Sequence, residues 1–247
     1  MSKIIKQNEN DAGVIKAITT PMQRRIFFKY AGAGAALSTL LLVSCDDDDD
    51  NGGSGSTNSG VDLGSADVGV LNYAYALEQL EAAFYTMVVG HSAFNTTFSN
   101  ALERSVLTDI RDHEVAHREF LKAAIPANSR IKDLTPDFSS INLSDRTAVL
   151  NAAKTFEDLG VAAYNGAGKL FTNSGAGLTY LTLAGKIVSV EARHAAEIRD
   201  LISNGSFADN TVIDNMGFDK ALMPNEVLTA AKPFIKDTIN FSNLPTQ

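Results

Sequence analysis

Tryptophan is absent from this 247-residue chain, and cysteine occurs once, as Cys45. A lone thiol excludes an intramolecular disulfide and any metal site built on several cysteines. A metal here would be held by carboxylate oxygen and imidazole nitrogen. Histidine is also scarce, with four in the chain. Basic side chains are outnumbered, 21 against 29 acidic, for a formal net charge of −8. That excludes a general nucleic-acid binder, which needs a basic face. Flavin, haem and nucleotide fingerprints are missing, so any redox chemistry would draw electrons from a partner or from the substrate itself. What remains is 45% hydrophobic residues, ordinary for a folded domain.

The first 44 residues read as an address. Arg24 and Arg25 stand before Phe27 and Phe28, and the apolar run Tyr30–Val43 follows. Its 14 residues fall short of the roughly 20 that span a bilayer and suit a signal-peptide core. The run ends in "LVSC", which resembles a bacterial lipobox and implies cleavage before Cys45 and lipidation of its thiol. The arginine pair resembles the twin-arginine signal of proteins exported already folded, although basic residues also precede ordinary export signals. Residues 1–44 hold six basic and two acidic side chains, so the remainder carries 15 and 27, a net of −12. Residues 45–65 open with Asp46–Asp50 and continue as "NGGSGSTNSG", the composition of a solvated tether. The expectation is an exported protein held at the membrane of the cell envelope by lipid on Cys45.

From about residue 66 strand signals are few, and the fold class expected is all-α. Apolar residues recur at helical spacing over about Asp67–Val89 and Ser99–Ala124. Ser144-Asp145 marks the start of a third helix, reaching about Phe171, and "TNSGAG" separates it from a fourth over about Leu178–Ser203. "NEVLTAAKPFI" predicts a short helix after Pro224, within a C-terminal extension over 206–247. The two outer links are short and the middle one, "PANSRIKDLTPDFSSINLS", is long. Short links make neighbours antiparallel, and the long one lets the second pair return in the same sense as the first. This is a four-helix bundle over 66–205 with one crossover.

The two halves of that bundle repeat a pattern. "LEQLEAAFY" places Glu78 seven before Tyr85, and "FEDLGVAAY" places Glu157 seven before Tyr164. "DHEVAHREFL" places Glu114 three before His117, and "EARHAAEIRDL" places Glu191 three before His194. Seven residues are nearly two helical turns, and three bring side chains to the same side. If these faces meet, four carboxylates and two imidazoles converge in the core. Unpaired buried carboxylates are costly, and two divalent cations would neutralise four of them. Oxygen-rich donors with one imidazole per ion suit iron or manganese. Glu81, one turn from Glu78, is an additional candidate ligand, but its counterpart is Gly160. His113 points about 100° away from Glu114, toward a packing or supporting role. His91 reads as surface, and Glu119 and Glu197 as solvated.

These four phrases resemble the ferritin-like superfamily, in particular bacterial proteins related to plant desiccation-associated proteins. The resemblance implies that Glu78 and Glu157 are terminal ligands, that Glu114 and Glu191 bridge two Fe or Mn ions, and that His117 and His194 each cap one. It implies that Tyr85 and Tyr164 orient carboxylates by hydrogen bonds. It also implies redox chemistry with oxygen or peroxide: ferroxidase, peroxidase or catalase-like. The alternative is a non-catalytic, stress-associated envelope scaffold with a vestigial site. A storage cage is disfavoured, because anchors would crowd its shell; a homodimer is a candidate assembly, and the sequence leaves the oligomeric state open.

Overall fold

A computed structural model describes residues 60–245. Arg24, Arg25, Cys45 and most of the acidic tether lie outside the described residues. Helix α1 covers Ala66–Gly90, a single turn α2 Phe94–Thr97, α3 Ala101–Ala124, α4 Arg146–Ala167, α5 Ala176–Ile202 and α6 Pro224–Ala231. Short 3-10 turns follow α4 and α6 at Gly168–Leu170 and Lys232–Phe234. The only strands among the described residues are β1, Val61–Asp62, and β2, Ile239–Asn240, paired in parallel. The tether is therefore shorter than its composition suggests. Val61 and Asp62 pair with the C-terminal segment, and Leu63 is fully buried in the core.

Local chemistry sets the helix ends. The Asn100 side-chain Oδ1 accepts from Leu102 N at 2.9 Å. Asp145 Oδ1 accepts from Thr147 N at 2.8 Å and Ala148 N at 3.2 Å, satisfying two of the donors a helix start leaves unpaired. Helix α3 starts two residues later than the periodicity suggests. Helix α4 gives way at Gly168 to a 3-10 turn that carries the chain as far as Leu170.

Helices α1 with α3 and α4 with α5 form two hairpins. Their relative sense corrects the sequence reading. Tyr85 on α1 bonds Glu157 on α4, and Tyr164 on α4 bonds Glu78 on α1. Rising numbers on one helix meet falling numbers on the other, so α1 and α4 are antiparallel. The second hairpin thus runs opposite to the first, with α4 sharing the direction of α3. The crossover of residues 125–145 makes this possible by travelling back along α1, whose 25 residues extend about 37 Å. Buried amides of α1 fasten it. Asn72 donates to Ser129 O at 2.8 Å and accepts from Ile131 N at 3.1 Å, and Gln79 Oε1 accepts from Leu134 N at 2.7 Å. Wrapped on this side as well, α1 is buried almost all round, whereas α3 and α5 bury one face.

The C-terminal segment lies along α4. Leu222 N donates to Ala162 O at 2.9 Å, and a Cβ on Gly166 would come within 1.8 Å of Leu222 O. Two apolar blocks form the core. One gathers Leu71, Tyr73, Leu77, Leu121 and Ile187, the other Phe84, Phe98, Ile110, Phe156 and Ile198. The charged residues of the repeated pattern lie in the belt between them.

Candidate metal centre

Each long helix delivers its part from the middle of its length. Glu78 comes from α1, Glu157 from α4, Glu114 and His117 from α3, and Glu191 and His194 from α5. Two overlapping groups result, each with its ligand atoms within 4.8 Å of one another: Glu78, Glu114, His117 and Glu191, and Glu114, Glu157, Glu191 and His194. His117 Nδ1 lies 2.8 Å from Glu191 Oε1, 3.5 Å from Glu78 Oε2 and 3.6 Å from Glu114 Oε2. His194 Nδ1 lies 2.7 Å from Glu114 Oε1, 3.5 Å from Glu157 Oε2 and 3.6 Å from Glu191 Oε2. Glu114 and Glu191 thus give one oxygen to each group, while Glu78 and Glu157 each serve one.

All four carboxylates are fully buried, and His194 is 5% exposed. Yet the atoms that face one another make no hydrogen bonds. Glu78 Oε2, both oxygens of Glu114, Glu157 Oε2, both oxygens of Glu191, His117 Nδ1 and His194 Nδ1 all lack a partner. The short N···O distances therefore reflect donors directed at a shared space rather than at each other. Unpaired buried charge on this scale is not tolerated without a compensating cation or protons. The outward oxygens are satisfied. Tyr85 OH donates to Glu157 Oε1 at 2.6 Å and Tyr164 OH to Glu78 Oε1 at 2.5 Å. Each tyrosine serves the carboxylate of the opposite half, not the glutamate seven residues before it. Burial, then the adjacent carboxylate, raises both phenols well above their usual range, so they remain neutral donors.

Without a cation, protons take its place. Burial alone would lower the His194 imidazole, but the carboxylates of Glu114, Glu157 and Glu191 gathered around it outweigh burial and raise the group to about 12. His117 is raised likewise, burial being outweighed by Glu78 and then Glu114 and Glu191. Burial raises Glu157 to about 7 despite the opposing pull of His194, and raises Glu114 well above the usual range. For Glu191 burial is outweighed by the two imidazoles, which lower it to about 2. The donor set of four carboxylates and two imidazoles around one buried space can hold a metal ion, with room in its symmetry for two. Oxygen-rich ligation with one imidazole per group fits iron or manganese.

Glu81 is buried beside this set but belongs to neither group, and its Oε2 has no partner. Its carboxylate occupies the space that Gly160 leaves, since a Cβ there would lie 2.8 Å from Glu81 Oε1. The residue in register with Glu81 is thus the one that makes room for it. His113 is exposed and reaches His194. His91 sits in the link after α1, where Nδ1 accepts from Ala93 N at 3.3 Å. Glu197 is exposed, and Glu119 pairs with Arg118. Tyr73, missed in the sequence, is buried with an unpartnered hydroxyl and is raised by burial and then by Glu81. No glutamate precedes it by seven, so it carries no signal of the repeated pattern.

No helix among the described residues is long and apolar enough to cross a membrane. None of the curated proteins matches the chain. The model of the ferritin-like domain matches residues 66–204, which takes in all four long helices and every side chain of the carboxylate–imidazole cluster. The chain belongs to the ferritin-like domain family.

Proposed function

We propose that this is an envelope-anchored metalloprotein whose bundle holds two iron or manganese ions for redox chemistry with oxygen or peroxide. The observation that carries the reading is the set of eight converging, buried atoms without hydrogen bonds, drawn from six side chains. Glu78 and His117 would hold one ion, Glu157 and His194 the other, and Glu114 and Glu191 both. A bound pair would supply Lewis acidity and reversible one-electron changes at adjacent centres. The protein's own part is to position the donors and exclude water. Tyr85 and Tyr164 hold the outer oxygens of Glu157 and Glu78, leaving the inner oxygens directed at the shared space. Phe84 packs edge-on against Tyr85, Phe138 and Phe156, so apolar rings surround the Tyr85 side of the cluster.

The anchor and export route rest on Arg24, Arg25, the apolar run and Cys45, and belong to the proposal. Fatty-acid labelling of the chain in a bacterial host, lost in C45S, supports the anchor; unchanged labelling rejects it. The metal site is tested by elemental analysis of protein isolated from its native host. Close to two ions per chain, lost in E114A and H194A, support the enzyme reading. Substoichiometric metal, indifferent to both substitutions, favours a stress-associated scaffold instead.

A further inference from the structure

Besides Glu81 and Gly160, the two halves of the centre differ at the outer edge of one imidazole. His113 Nδ1 lies 3.0 Å from His194 Nε2, with ring planes 5° apart and centroids 5.2 Å apart. That contact is shorter than the separation of about 3.5 Å between ring faces in van der Waals contact. The nitrogens therefore meet edge to edge, along the in-plane direction of an imidazole lone pair.

The other nitrogen of His194, Nδ1, is the one turned into the carboxylates. A neutral imidazole with its lone pair on Nδ1 carries its hydrogen on Nε2. With His194 in that tautomer, the 3.0 Å contact has Nε2 donating and His113 Nδ1 accepting. The other half has no equivalent. His113 stands one residue before Glu114, and the residue one before Glu191 is Val190, whose side chain has no acceptor. The remaining histidine, His91, is engaged with Ala93 N in the link after α1. No imidazole is left to do for His117 what His113 does for His194.

We propose that His113 is a positioning residue that fixes the tautomer and ring orientation of His194, so that the two cation positions are unequal and the one at Glu157 and His194 fills first. The inference rests on reading the cluster as a metal centre. A partner on the outer nitrogen orients a ligating imidazole and raises its basicity, and its loss typically weakens metal binding about 10–100-fold. Glu81 and Gly160 also break the symmetry, but they are unchanged when His113 is replaced.

The test is a cobalt(II) titration of the full chain in detergent, followed by visible absorption. The wild type fills in two steps. H113V, which copies the residue of the other half, weakens the tighter step about 10–100-fold and leaves the other within about twofold. H113N restores the separation, because its carbonyl oxygen takes the place of Nδ1 as acceptor. In the cobalt-loaded protein the ring N–H of His194, read by its shifted proton resonance, exchanges with solvent faster in H113V than in H113N. The inference is overturned if H113V leaves both constants unchanged, lowers both alike, or behaves as H113N does. If the wild type takes up no cobalt, the metal reading falls and this inference with it. Two equal steps, indifferent to position 113, overturn this inference alone.

Discussion

Replacing Tyr85 with phenylalanine removes one hydroxyl and little else, and the structure states which carboxylate will feel it. Tyr85 OH donates to Glu157 Oε1 at 2.6 Å with both residues fully buried. Above pH 7 Glu157 is ionised; a hydrogen bond to a charged group contributes about 1.5–3 kcal/mol, and an orphaned buried acceptor costs a similar amount. Y85F should therefore lower the unfolding free energy of the metal-free protein by about 1.5–3 kcal/mol. For a domain of this size each kcal/mol lowers Tm by about 2–4 °C. The assay is urea unfolding of the single variants and of two double-mutant cycles. Tyr85 with Glu157→Gln should show a coupling of about 0.5–3 kcal/mol, and Tyr85 with Glu78→Gln should be additive within about 0.5 kcal/mol. Coupling to Glu78 in place of Glu157 would refute the crosswise arrangement and, with it, the antiparallel sense of α1 and α4.

Two further outcomes follow from the same cluster. His117 and His194 bind protons more tightly folded than unfolded, so their stabilisation is complete below pH 6.5 and is lost as pH rises toward their folded values. Glu157, raised from 4.5 to about 7, adds a loss of the same sign between those values, while Glu191 acts oppositely only below pH 4.5. Thermal melts of the metal-free protein should therefore fall steadily from pH 6 to pH 9, and a loaded divalent cation should flatten the slope; a Tm that rises over this range contradicts the assignment. At Gly160, an added Cβ meets Glu81 Oε1 at 2.8 Å. G160A should cost about 1–3 kcal/mol in chemical denaturation, and E81A should recover most of it. Equal losses in G160A and G160A/E81A would mean that Glu81 does not occupy that space.

The sequence carried the bundle because each requirement of a helix has a local signature. Apolar spacing on α3 and α5, the Asp145 cap, and the glycine and turn residues around 173–177 are all short-range features. The six donors were legible for a related reason. Glu114 with His117 and Glu191 with His194 are separated by one helical turn, so a shared face follows from helix geometry without knowledge of the neighbours. The short helix at Pro224 was legible, but not the resting place of its segment, because Leu222 meets Ala162 across sixty residues of chain.

Spacing along one helix shows which side chains share a face and is silent about which helix that face meets. Tyr85 and Glu78 share a face of α1, yet each finds its partner on α4, because the direction of α4 is set by the crossover fastened to Asn72 and Gln79. The same limit hid the relation of Glu81 to Gly160, and it left His113 as a residue turned away from Glu114 when its partner lay on α5. Local physics determined the helices, their caps and the donors each could offer. Only the tertiary structure decided who meets whom, because the contacts between helices depend on chain direction and crossover path, and these are properties of no single helix.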